Sequence, residues 1–190
     1  MPPIFILSAP SGGGKTTIAK ALLRQTPDLA RVITTTTRKP RPEERDGRDY
    51  FFISAEEFKK QIAQNEFAEW ANVHNHYYGT SHQALKIIFT QHKAPLLVID
   101  VQGAKSIKQQ YSNTILIFII PENFSALRKW LIRRGRNNKE EIVTRLRNAK
   151  EELAQAKYYD YTIVNRDGKL EETIQKVVAI IQQHIKKSTY

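Results

Sequence analysis

The chain contains no cysteine, and that one absence removes several chemistries. Disulfides, thiolate zinc sites, iron–sulfur clusters and a cysteine nucleophile are all excluded. Acidic residues are scarce beside basic ones: 19 Asp and Glu stand against 30 Lys and Arg, a formal net charge of +11. Long hydrophobic runs are missing as well. Runs such as residues 4–7 and 115–120 are far too short to cross a bilayer. The first residues carry neither the basic stretch nor the extended apolar segment of a secretory signal, so the expected address is the cytoplasm. No internal repeat or low-complexity tract is present. What remains is 190 residues, 41% hydrophobic and 26% charged, sized for one domain and able to bury a core without covalent staples. The surplus positive charge suits nucleic acid, an anionic membrane or small polyphosphates.

Hydrophobic patterning predicts alternating strands and helices. Residues 3–8, 95–100, 115–120 and 161–164 read as short buried strands, and residues 32–37 as a β-branched one. Helices are expected at residues 16–25, 82–90, 104–110 and 171–186, with two more across residues 123–157, broken at Arg134-Gly135-Arg136. This order implies an α/β fold with a parallel core sheet sandwiched between helices. A polar stretch at residues 34–83 interrupts the alternation and reads as a small inserted lobe. Within it, residues 38–49 hold nine charges, two prolines and one glycine and read as an exposed loop. Residues 50–53 read as a strand. Ser54 followed by Glu57 marks a helix start, with Phe58, Ile62 and Ala63 as its buried stripe. Residues 67–73 and a turn at Tyr77-Tyr78-Gly79-Thr80 follow. The five histidines show no metal-ligand spacing, and His74, His76 and His82 read as solvated.

Between the first strand and the first helix lies Ala9-Pro10-Ser11-Gly12-Gly13-Gly14-Lys15-Thr16, followed by Thr17. This is the phosphate-loop pattern with Ala9 in place of the usual first glycine. Glycines let backbone N–H groups turn inward around a phosphate, and the helix that follows adds its positive end. Lys15 supplies a charge to the outer phosphates, and the Thr16 hydroxyl can ligate Mg²⁺. Ala9 is compatible with the loop if its φ is negative. A carboxylate near the metal completes such a site, and Asp100 at the end of Leu96-Leu97-Val98-Ile99 is the candidate.

An acceptor site for a second phosphate needs fixed cations and donors. Arg38 and Arg41, spaced by Pro40, offer forked donors, and Tyr50 and Tyr78 can add hydroxyls. A carboxylate such as Glu69 can accept from N–H donors, and hydroxyls such as Thr34 and Thr80 can donate to an acceptor oxygen.

Together these stretches resemble the guanylate kinases over essentially the whole chain. The resemblance rests on residues 9–17, Thr34-Thr35-Thr36-Thr37-Arg38-Lys39-Pro40-Arg41, Gly47-Arg48-Asp49-Tyr50, Glu66-Phe67-Ala68-Glu69-Trp70, Tyr77-Tyr78-Gly79-Thr80, Asp100-Val101-Gln102-Gly103, Arg134-Gly135 and Ile163-Val164-Asn165. It implies a three-layer α/β/α fold with an ATP-binding core (residues 1–33, 84–125 and 150–190), a GMP-binding lobe (34–83) and a helical lid (126–149). It also implies ATP and GMP as substrates, Mg²⁺ as cofactor, Thr16 and Asp100 as metal ligands, and Arg38, Arg41, Tyr50 and Tyr78 on the acceptor phosphate; guanine, which donates at N1 and N2 and accepts at O6, then matches the Glu69 carboxylate and the Thr34 and Thr80 hydroxyls. Asp100 also falls to the acceptor site, Asn165 to the adenine end, and Arg134 and Arg145 to the lid arginines that act on the transferred group with Lys15. Four positions depart from the family pattern: Val98, where an acid is usual; Trp130, where an arginine is common; and Thr34 and Thr80, where serine is usual at one or both.

The charge distribution agrees with a polyphosphate clamp, since residues 126–149 alone carry +6 of the +11. A nucleic-acid partner is not expected, because no recognition helix or aromatic platform is evident. The alternative function is a guanylate-kinase-like binding module whose catalysis is weakened.

Overall fold

The computed structural model describes residues 1–73, 75–133 and 139–188. A five-stranded parallel sheet forms the core, in the order β2 (Leu29–Arg31), β7 (Ala94–Leu97), β1 (Ile4–Ser8), β8 (Thr114–Pro121), β9 (Tyr161–Asn165). The central strands bury both faces, which is why β1 reads as an unbroken apolar run. Alternate side chains serve two layers. Phe5, Leu7, Ile117 and Ile119 pack with α1 (Lys15–Gln25) and α7 (Leu170–Ser188). Ile4, Ile6, Leu97 and Leu116 face α3 (His82–Thr90) and α4 (Val101–Gln110). The result is the expected three-layer α/β/α arrangement.

A second, four-stranded sheet occupies the polar stretch, in the order β4 (Phe51–Phe52), β3 (Thr35–Thr36), β6 (His76–Ser81), β5 (Phe67–Val73). Its helix α2 (Ala55–Ala63) begins as expected, with the Ser54 hydroxyl accepting from the Glu57 N–H at 3.0 Å. α4 packs on β5 and joins the two sheets; Gln110 Nε2 donates to the Ala68 carbonyl at 2.6 Å. Two further helices, α5 (Phe124–Arg133) and α6 (Lys139–Ala154), share a small apolar cluster of Leu127, Leu131 and Ala149.

Several sequence expectations are corrected. Residues 32–37 are not one strand: β2 ends at Arg31 and β3 begins at Thr35, because the chain leaves the core sheet for the second one there. The Tyr77-Tyr78-Gly79-Thr80 segment is not a turn but the middle of β6, paired antiparallel with both β3 and β5. Ala63 is exposed rather than part of the α2 stripe; Phe58 carries that stripe and stacks between Phe67 and Tyr77. Asp49 is buried, so residues 38–49 are not wholly a solvated loop. The expected helix break at Arg134-Gly135-Arg136 lies outside the described residues, as does His74. His82 is exposed, and among the described residues no group of His, Asp or Glu could hold a metal by itself. Among those residues, no helix is long and apolar enough to cross a membrane.

Candidate active site

The phosphate loop is built by the end of β1 and the start of α1. Gly12 and Gly14 have φ of 90° and 84°, in the region where a side chain would be strained. Gly14 is the N-cap of α1; it offers no side-chain cap, and the first turn of α1 holds no acid. By contrast α2, α3 and α4 are capped by Ser54, Ser81 and Asp100. No side chain therefore caps the start of α1, the positive end of a helix that suits an anionic ligand. Ala9 is buried and is not among the residues with positive φ, so its methyl fits as expected. Pro10 is buried beside it, and its carbonyl accepts from the Gly13 N–H at 2.8 Å. Lys15 Nζ donates to the Ala9 carbonyl. Thr16 and Thr17 are exposed at the helix start. Asn165 ends β9, buried, and lies alongside Gly14; its Oδ1 accepts from the Thr173 hydroxyl at 3.0 Å. It is thus a sheet residue beside the loop.

Asp100 departs from expectation. β7 stops at Leu97, so Asp100 is not a strand residue; its Oδ1 accepts from Gln102 and Gly103 N–H at 3.0 and 2.9 Å as the N-cap of α4. It still lies close to the loop, because Ser8 Oγ donates to the neighbouring Ile99 carbonyl at 2.8 Å. Val98 lies on the sheet face covered by α1 and packs into the apolar cluster there. Thr16 and Asp100 provide hard oxygen donors of the kind that suits Mg²⁺, which keeps most of its shell as water and substrate phosphate.

The second sheet gathers the other candidates into two groups. Glu69 and Thr80 are cross-strand partners on β5 and β6, and the Thr80 hydroxyl donates to Glu69 Oε1 at 2.6 Å. Glu69 is only 5% exposed. Burial pushes its carboxyl up to about 7, against the Thr80 hydrogen bond and with help from the Asp100 charge. It is not the surface carboxylate that its neighbour Trp70 would suggest. Thr34 is buried just before β3, and its carbonyl accepts from Phe51 N–H at 2.9 Å.

The second group is cationic. Arg38 donates to Glu44 Oε1 at 2.9 Å, with its guanidinium 5.5 Å from the centre of the Tyr50 ring. Tyr50 and Tyr78 meet edge to face at 6.1 Å. Burial opposes the charge on Arg38, but Glu44 and Tyr78 outweigh it and raise its pKa. Burial also pushes the Tyr50 hydroxyl up, so it stays a neutral donor. Arg41 is more open, its side chain 45% exposed, with Nη1 3.8 Å from the same Glu44 oxygen. A single carboxylate thus sits where both arginine forks and the two tyrosines converge, an arrangement a phosphate also fits.

Arg134 lies outside the described residues. Arg145 is half-buried on α6. Trp130 packs against the α5–α6 cluster and its indole N–H meets Asp167 Oδ1 at 3.3 Å, a packing role in place of a cation.

Two contributors were not singled out from the sequence. Arg31, at the end of β2, donates to the Asp49 carbonyl at 2.8 Å and lies 5.6 Å from the Tyr50 ring centre. Gly103 stands inside α4, where a glycine costs about 1 kcal/mol relative to alanine. A Cβ there would come within 2.4 Å of Glu69 Oε2. That helix-interior glycine was the available signal of a close approach. Gly103→Ala is therefore expected to displace the Glu69 carboxylate and raise the KM for the acceptor on the order of tenfold, the worth of one charged hydrogen bond. Thermal unfolding is expected to change little, since better helix propensity offsets the crowding. Acceptor and donor titrations of the variant check this.

The family model for guanylate kinase matches residues 1–184. Guanylate kinase from Thermotoga maritima is 41% identical over 186 residues, covering 98% of this chain and 89% of that protein. The Rickettsia bellii enzyme is 43% identical over 184 residues, covering 97% and 95%. The crystal structure of guanylate kinase from Anaplasma phagocytophilum superposes with a TM-score of 0.80 at 31% identity, covering 97% of this chain and 86% of that one.

Proposed function

The chain belongs to the guanylate kinase family, and from that premise we propose that it transfers the γ-phosphoryl group of ATP to GMP, giving ADP and GDP. The observation that carries this reading is the convergence of two polar groups in one small sheet, joined through α4 to a phosphate loop. The Glu69–Thr80 pair suits guanine, and the Arg38, Arg41, Tyr50 and Tyr78 cluster suits a phosphate.

The core (residues 1–33, 84–125 and 150–190) would bind ATP through Ala9, Pro10, Ser11, Gly12, Gly13, Gly14, Lys15, Thr16 and Thr17, with Asn165 beside the loop. The lobe at residues 34–83 would bind GMP. Glu69 accepts from guanine N1–H and N2–H, Thr34 donates to O6, and the Thr80 hydroxyl turns its one proton from Glu69 Oε1 to O6 as guanine takes the carboxylate. Arg38, Arg41, Tyr50 and Tyr78 hold the GMP phosphate, replacing Glu44 as their anion, and Asp100 faces both substrates. An oxygen of that phosphate attacks the γ-phosphorus, and the bond to the ADP bridging oxygen breaks. The acceptor is already anionic, so no general base is required. Lys15, with Arg134 and Arg145 from the lid at residues 126–149, stabilises the charge spread over the transferred group. Thr16 and Asp100 would hold Mg²⁺, which when bound neutralises phosphate charge. The six excess positive charges of the lid then serve ATP rather than nucleic acid. The compartment proposed is the cytoplasm.

A coupled assay of ADP release tests the reaction. Turnover that requires both ATP and GMP is expected. GMP binding without ADP release would instead mark a binding module.

A further inference from the structure

Glu152 has no part in the roles above, yet it touches the phosphate loop. It lies near the C-terminal end of α6, and its Oε2 accepts from the Ser11 backbone N–H at 2.8 Å. Burial pushes the Glu152 carboxyl above its usual range, while the nearby Lys15 ammonium and the Ser11 N–H favour the charged form. The carboxylate is thus seated among loop groups rather than in solvent.

Helix geometry extends this contact. Arg145, Ala149 and Glu152 follow the i, i+4, i+7 spacing and share one face of α6. Ala149 is fully buried on that face with Leu127 and Leu131 of α5. Those two leucines also crowd Gly12, where a Cβ would meet Leu131 Cδ2 at 2.6 Å. The loop is therefore gripped at adjacent residues, Ser11 by α6 and Gly12 by α5. At 1.5 Å rise per residue, Arg145 stands about 10 Å along the axis from Glu152.

We propose that Glu152 is a positioning residue: its carboxylate docks on the Ser11 amide, fixes the register of α6 and so sets where Arg145 stands relative to the donor phosphates. This rests on the reading of Arg145 as an arginine for the transferred group. The length of the side chain is the critical property. Glutamine keeps an acceptor oxygen at the same reach; aspartate keeps the charge but is one methylene short.

The test compares E152D, E152Q, R145A and the double variant R145A/E152D, with kcat taken per folded enzyme by circular dichroism. E152D is expected to lose kcat on the order of tenfold through misplacement of Arg145. Its KM for GMP stays within about twofold, because the acceptor lobe is untouched. E152Q is expected to keep kcat within about threefold of the parent, since its amide oxygen still accepts from Ser11. The double variant should be no slower than R145A, because both changes remove the same positioned group. Parental kcat in E152D, E152Q as slow as E152D, or losses that multiply in the double variant would each overturn the proposal. Multiplying losses leave Arg145 in its role and remove only Glu152. Parental kcat in R145A removes both.

Discussion

Lys15→Ala is expected to lower kcat by roughly 10²–10³-fold while leaving the fold intact, the usual loss when one fixed electrostatic partner of a transition state is removed. Lys15 is the one charged side chain of the loop, and its ammonium donates to the Ala9 carbonyl. That contact keeps the ammonium on the loop itself. Removing it deletes little packing, because Lys15 is only half-buried and the apolar face of α1 is made by Ile18, Ala19 and Leu22. Circular dichroism and thermal unfolding should match the parent, and GMP affinity should be nearly unchanged. Near-normal turnover in this variant would remove Lys15 from catalysis.

Glu69→Gln is expected to raise the KM for GMP roughly 10- to 100-fold with the KM for ATP almost unchanged, since hydrogen bonds to a charged acceptor carry about 1.5–3 kcal/mol. The carboxylate accepts from two guanine N–H groups; an amide presents one oxygen and one NH₂, and the NH₂ opposes a guanine donor. The same residue predicts a pH dependence. Burial raises its folded pKa from the ordinary 4.5 to about 7, so the charged form is present above pH 7 and lost below it. The KM for GMP should be flat above about pH 7.5 and rise as pH falls through 7, approaching tenfold per unit. In Glu69→Gln that slope should vanish. Stability runs the other way. The fold favours the protonated acid, so this group's contribution is full below pH 4.5 and fades as pH rises through 7. Binding and stability thus pull on Glu69 in opposite directions, as expected of a group held ready for a ligand.

The core was legible because its signals are local. Four apolar runs separated by helical patterns give a parallel sheet, and glycines followed by Lys15-Thr16 give the loop. The second sheet was harder to read. β3 and β4 are two residues each and owe their existence to pairing with distant strands, not to their own pattern. Thr80 looked like part of a turn for the same reason: nothing in Tyr77–Thr80 announces two antiparallel neighbours. Asp100 was misplaced by three residues because the apolar pattern runs on through Ile99, while the ladder ends at Leu97 and the chain turns to let Asp100 cap α4. Of the site itself, the family resemblance and the phosphate loop together pointed to Glu69, Arg38, Arg41, Tyr50 and Tyr78. Their partners were invisible. That Glu44 stands between the two arginines, that Gly103 makes room for Glu69 and that Glu152 meets Ser11 across 141 residues are facts of packing, which no local pattern encodes.

The central claim is that the buried Glu69–Thr80 pair selects guanine as the base of the phosphoryl acceptor. Offering AMP, GMP, CMP and UMP in turn with ATP, and measuring ADP release across a concentration series of each, tests it most directly. A kcat/KM for GMP at least 10³-fold above the other three is expected, because the wrong base leaves buried polar groups unpaired. Equal turnover with AMP, or no turnover with GMP, would contradict it.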